Sequence, residues 1–316
     1  MLRFWLIATA LEVVFGLALL LVGDAELQRG LDATGLSFDT DAVTAVRLVL
    51  GYPAATVAVL LSIGGVMAPD LAVVAVTWRR RGVDGLAATR RRFRAWSPEV
   101  GRRRGLRIWA AMTITFVGAS LVTAALDAWL MPPGHWRWQG VGGWSGLALG
   151  LPVAMFLDLG AMLEENGWRG FALPRLLTRH SPLVASLVLG LMWTAWHYPV
   201  KYDAFTTYGP AGSWYLAAFT VKIVVLTVVM TYFWQLAGQA TILAIAMHGL
   251  SNDSLRLQGE LIGGASLRAD ILSEITIAVP LLAIALVLIV VTRGRLGARP
   301  EAPVALDPLA LGPGER

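Results

Sequence analysis

Long apolar runs constrain this chain more than any other feature. The hydrocarbon core of a bilayer is about 30 Å thick and takes roughly 20 apolar residues of helix. Read against that length, candidate spans fall at about 4–22, 43–67, 108–131, from 147 onward, 182–198, 213–235, 240–257 and 270–292. Backbone polar groups in lipid must be satisfied within the segment, so the expected fold class is all-α, a polytopic membrane protein with about eight transmembrane helices. Composition agrees: 56% of residues are hydrophobic, 15% are charged and mean hydropathy is +0.64, which excludes both an ordinary soluble chain and a disordered one. Arg3 ahead of the first run resembles a signal peptide, but no small-residue cleavage site follows, and the run is read as a retained helix.

Charge placement gives an orientation. The stretch 79–107 holds eleven Arg against Asp84 and Glu99, whereas 23–42 holds Asp24, Glu26, Asp32, Asp39 and Asp41 against Arg29. The positive-inside rule puts the basic stretch in the cytoplasm, and alternation then brings both termini there. The net charge of +5 is thereby assigned to orientation and to anionic lipids at the basic loop, not to nucleic acid. The organisation expected is an N-terminal transmembrane pair with its basic loop over 1–107, a helical core over 108–292, and a disordered cytoplasmic tail over 293–316. A chain rich in Arg, Ala, Gly and Leu suggests a GC-rich bacterial source, hence the plasma membrane. The absence of Cys excludes thiolate metal sites and Cys nucleophiles.

Charges inside hydrocarbon must lie near an end, pair with something, or mark a site. Arg47, Asp127 and Glu274 lie near span ends, while Glu12, Asp158 and Lys222 are deeper and read as structural partners. A cluster from three spans exceeds what packing needs: Glu164, Glu165 and Arg169, then His197, then His248 with Asn252 and Asp253. The pairs Glu165/Arg169, Trp193/His197 and His248/Asn252 are each spaced i,i+4, so each presents one face of a helix. Glu165 and Arg169 neutralise each other, which leaves Glu164 directed elsewhere.

These groups share one depth if the fourth helix continues to a turn at 179–182. Glu164 and His197 are then about 16 residues from that turn on either side, roughly 24 Å at 1.5 Å per residue. His248 lies roughly 12 Å inside its own helix, which matches if the hairpin projects into the cytosol. Pro174 falls within the extended helix and is expected to bend it.

The run from Glu164 to Leu176 resembles the E-E-x-x-x-R motif of the CPBP family, the CAAX proteases and bacteriocin-processing proteins, also called the ABI family. Trp193 to His197 resembles its second motif, usually F-x-x-x-H, and His248 to Asn252 its third, H-x-x-x-N. The three occur in family order within about 147–257, with Trp193 standing where Phe is usual, a change read as conservative. The resemblance implies an intramembrane endopeptidase acting on a membrane-associated protein or peptide. Glu164 and His197 would activate water, His248 and Asn252 would polarise the scissile carbonyl, and Glu165, Arg169 and Trp193 would support them. The family includes the protease that removes the last three residues of prenylated CAAX proteins and bacterial members linked to bacteriocin processing or immunity.

The chemistry is consistent with that reading, since peptide hydrolysis needs a base for water and donors for the developing oxyanion. No cofactor is required. Glu164, His197 and His248 would also satisfy an open zinc site, so a divalent metal is the alternative on the same residues. A non-enzymatic immunity or partner-binding scaffold and a proton-coupled transporter are the readings from other classes.

Overall fold

A computed structural model describes residues 1–36, 41–138, 142–252 and 260–298. The fold is all-α. α1 (Leu2–Ala18) runs through a π-turn into α2 (Asp24–Thr34), followed by α3 (Ala42–Gly51), α4 (Thr56–Val66) and α5 (Ala68–Arg90). α6 (Arg102–Leu130) leads to α7 (Gly143–Phe156) and α8 (Leu159–Glu165), and α8 continues through a π-helical stretch, Asn166–Ala172, into α9 (Leu173–Leu177). α10 (Pro182–His197), α11 (Asp203–Tyr208), α12 (Gly212–Leu236), α13 (Thr241–Ser251) and α14 (Leu267–Thr292) complete the order. Among the described residues, extended chain pairs Trp136–Arg137 with Glu260–Leu261, two residues each, and an isolated antiparallel bridge joins Asp41 to Asp158.

Among the described residues, four helical runs are long and apolar enough to cross a membrane: Leu2–Thr34, Arg102–Leu130, Asp203–Leu236 and Leu267–Thr292. A fifth is added if Pro53–Val66 and Ala68–Arg79, bent by 58°, form one broken span. This makes an integral membrane protein, with fewer long spans than the eight expected. The second expected span is interrupted at Tyr52, which is non-helical at φ −144°, ψ 82°; Pro53 disfavours helix in the residue before it. The fourth is interrupted at Leu157 and Asp158, where Asp158 turns extended and its carboxylate accepts from the Ala161 N–H, starting α8 as its N-cap. The fifth and seventh are the shorter helices α10 and α13.

A helix as short as α13 is tolerated because protein, not lipid, surrounds it. Nine of the eleven residues of α13 are buried, and a Cβ on Gly249 would lie 2.0 Å from the Ala154 carbonyl oxygen, so α13 and α7 meet with no room for a side chain. Around them, Trp168, Trp193, Trp196 and Trp234 are fully buried. Phe4 of α1 packs at 5.5 Å on Trp168 and at 5.0 Å on Phe171, fixing the N-terminal helix to the centre of the bundle.

The expected hairpin is present: the helical run from Leu159 ends at Leu177, and α10 starts at Pro182 with Ser181 as its N-cap. Pro174, expected to bend the helix, lies in the first turn of α9 directly after the π-helical stretch. Pro174 has no N–H to offer the carbonyl of Gly170 four residues back, and that carbonyl accepts from Arg92 Nη1 at 2.9 Å.

Part of the basic stretch is thus internal structure. Arg92 is buried, its own carbonyl accepts from the Thr241 N–H, and the Ser97 N–H donates to Ala237. Arg94 Nη2 donates to the Gly238 carbonyl at 3.1 Å. The segment 91–97 therefore ties the π-helical stretch to the turn before α13. Lys222, expected as a structural partner, pairs at 2.5 Å with Glu274, joining α12 to α14. The expected tail is described only as far as residue 298.

Candidate active site

The extended Asp158 at the start of α8 sets where Glu164 and Glu165 face. Both are buried, and their surroundings differ. Glu164 Oε2 accepts from the indole N–H of Trp193 at 2.9 Å and from that of Trp168 at 3.3 Å. Trp168 is one turn on from Glu164, so this second donor comes from the same helical run. Glu165 Oε1 accepts from Arg169 Nη1 at 2.6 Å and lies 3.0 Å from His248 Nδ1.

Arg169 is fully buried. Its Nη2 faces Thr227 Oγ1 at 3.5 Å and Met230 Sδ at 3.2 Å on α12, and its guanidinium carbon stands 4.2 Å from the centre of the Trp193 ring. The expected pairing of Glu165 with Arg169 is present. It also reaches a third helix, because the same carboxylate oxygen holds His248.

Trp193 is the hub of the cluster. Its indole N–H binds Glu164, its ring packs edge-on at 4.9 Å against His248, and its carbonyl lies 2.8 Å from His197 Nδ1. The expectation that Trp for Phe is a conservative change is corrected by that indole N–H, which a phenyl ring lacks. His197 is enclosed by Trp196 at 4.7 Å and Phe219 at 5.3 Å. Among the described contacts it reaches Glu164 through Trp193 and not by a direct hydrogen bond.

Asn252 lies just past the end of α13, with its Nδ2 at 3.2 and 3.3 Å from the two oxygens of Asp158. Asp158 is buried while Asn252 is exposed. The i,i+4 spacing of His248 and Asn252 thus sends the two side chains to adjacent carboxylates, Glu165 and Asp158. Asp253 lies outside the described residues. Trp168, Asp158 and Asp70, whose Oδ1 accepts the Gly167 N–H at 2.7 Å, are the partners that sequence spacing did not assign to the site. Trp168 was legible in principle, being i+4 from Glu164.

Among the described residues, no three His, Asp or Glu side chains converge as a ligand set. Of the proposed ligands, His248 Nδ1 faces the Glu165 carboxylate and His197 Nδ1 faces a backbone carbonyl.

Residues 145–253, which hold the three motifs on α8, α10 and α13, match the family model described as Type II CAAX prenyl endopeptidase Rce1-like. Over 123 residues the chain is 32% identical to CAAX prenyl protease 2 of Methanococcus maripaludis, a match spanning 37% of this chain and 44% of that protein. The three motifs, their order on α8, α10 and α13, and these two likenesses agree: residues 145–253 are similar to the CAAX prenyl endopeptidases, and the chain spans less than half the length of the relative it matches.

Proposed function

We propose that this chain is an intramembrane endopeptidase that hydrolyses a peptide bond of a membrane-associated substrate with water activated by Glu164. The observation that carries this reading is the unequal use of the Glu164 carboxylate. Oε2 is pinned by two indole donors, while Oε1 faces the gap over Gly160 that Asn252 Nδ2 also lines. A carboxylate held by one oxygen and open at the other is oriented as a general base.

In the proposed step, water oxygen adds to the scissile carbonyl carbon as Glu164 Oε1 takes its proton. The tetrahedral oxyanion collapses with transfer of that proton to the departing amine. With Nδ1 of His248 donating to Glu165, a proton on Nε2 makes the ring an oxyanion donor and an imidazolium. Asn252 offers its second amide N–H to the same oxyanion. His197, with Nδ1–H on the Trp193 carbonyl, keeps a lone pair on Nε2 and shares the water's proton. No step uses a metal.

The name of the Methanococcus maripaludis relative points to prenylated CAAX proteins as the substrate class to try first. We place the basic stretch 79–107 and both termini in the cytoplasm of a plasma membrane, with exposed arginines of that stretch against anionic lipid. Expression of wild type, Glu164→Ala and His248→Ala in matched membranes, followed by mapping of new peptide termini, tests the reading. The variants should insert normally and lose the wild-type cleavages. Equal cleavage by all three would contradict it.

A further inference from the structure

Asp158 is an acidic side chain, buried and extended at the break between α7 and α8, and the hydrolytic step leaves it without a part. One of its jobs is local: Oδ1 accepts the Ala161 N–H at 2.7 Å and caps α8. The other joins positions 94 residues apart, since both of its oxygens face Asn252 Nδ2. A carboxylate only accepts hydrogen bonds, so it fixes the flip of the Asn252 amide with nitrogen inward and leaves the second N–H of that nitrogen for another acceptor.

Gly160 shows where that acceptor sits. A Cβ built on Gly160 would meet three polar atoms from three residues: Asp158 Oδ1 at 3.2 Å, Glu164 Oε1 at 3.4 Å and Asn252 Nδ2 at 3.5 Å. Two of these are the base and the amide of the proposed reaction. Both lie within 3.5 Å of the point that Cβ would occupy, near the distance of about 2.7–3.2 Å at which a water there would hydrogen-bond to each. A small polar gap with several donors and acceptors is where water binds.

We propose that Asp158 is a positioning residue that aims the Asn252 amide at a water site over Gly160, which stays open because position 160 has no side chain. This rests on the hydrolytic reading of Glu164. It adds that the chain break before α8 belongs to the reaction centre, and that the residue at 160 governs turnover by excluding water.

Two variants separate this from a structural role. Asp158→Ser keeps a favoured N-cap but is too short to reach Asn252. Gly160→Ala adds one methyl in a helix, where Ala is preferred over Gly, at contacts of 3.2–3.5 Å. Each is assayed in proteoliposomes with a quenched peptide ending in a farnesylated Cys and three further residues, beside wild type, Asp158→Asn and Glu164→Gln. For both variants kcat should fall on the order of 100-fold, with KM within about twofold and the melting temperature close to wild type. Asp158→Asn, which keeps the reach and an acceptor oxygen, should recover part of the loss. Wild-type kcat in Asp158→Ser and Gly160→Ala, with Glu164→Gln inactive, would overturn this inference alone. Wild type no faster than Glu164→Gln would overturn the hydrolytic reading together with it.

Discussion

The indole Nε1 of Trp193 donates to Glu164 Oε2 at 2.9 Å across 29 residues of chain, so the carboxylate proposed as the base is aimed by the helix that also carries His197. Hydrogen bonds to a charged group contribute about 1.5–3 kcal/mol. Trp193→Phe keeps a ring against His248 and removes that donor, leaving only the longer bond from Trp168. We expect a folded protein with kcat lowered about tenfold, near 1.4 kcal/mol, and KM little changed. Steady-state kinetics beside a thermal melt checks this. Unchanged kcat would show that the indole does not orient the base.

Arg169 and Glu165 form a fully buried ion pair, with His248 on the same carboxylate oxygen. Removing one partner of such a pair leaves an uncompensated charge and costs about 3–5 kcal/mol. Arg169→Ala should therefore fail to give a stable protein, and Arg169→Lys should not restore it, because an ammonium cannot span Glu165, Thr227 and Met230 as the planar guanidinium does. The double variant Arg169→Met with Glu165→Gln should be more stable than either single change. Denaturant unfolding in detergent reads all three, and an Arg169→Ala protein as stable as wild type would contradict the pairing.

The architecture was legible where a residue's environment is set by its own helix. Spacing of i,i+4 identified Glu165 with Arg169, and the hairpin turn near 179–182 followed from Ser181 and Pro182. The number of long spans was not legible, because hydropathy cannot distinguish a helix buried in protein from one facing lipid. α13 reads as a span but is an eleven-residue helix enclosed by its neighbours. The role of Asp158 depends on a break at Leu157 and Asp158 that the apolar run conceals, and on Asn252 94 residues away. Arg92 was concealed by its company, being one of eleven arginines in a stretch whose charge pattern reads as a membrane-surface loop.

That buried arginine gives a prediction of its own. Arg92→Ala removes the Nη1 donor to the Gly170 carbonyl and should destabilise the protein by about 1–3 kcal/mol. Arg102→Ala, at an exposed position, should change stability by less than about 0.5 kcal/mol. Chemical denaturation of the two variants makes the comparison. Equal effects would show that Arg92 contributes only surface charge.

Chelation separates the two chemistries possible on the same residues. If Glu164 activates water without a metal, as proposed, cleavage should survive dialysis against a strong chelator without loss. Activity that disappears on chelation and returns with added zinc would assign these residues to a metal.

The central claim is that Glu164 is the base. Its most direct test is the isosteric change Glu164→Gln, which can still accept the indole hydrogen bonds through its carbonyl oxygen but cannot take a proton from water at neutral pH. Purified into proteoliposomes, it should bind a cleavable membrane peptide as wild type does and cut it at least about 1,000-fold more slowly, near 4 kcal/mol of transition-state stabilisation. Cleavage within about twofold of wild type by a folded Glu164→Gln protein would contradict the account.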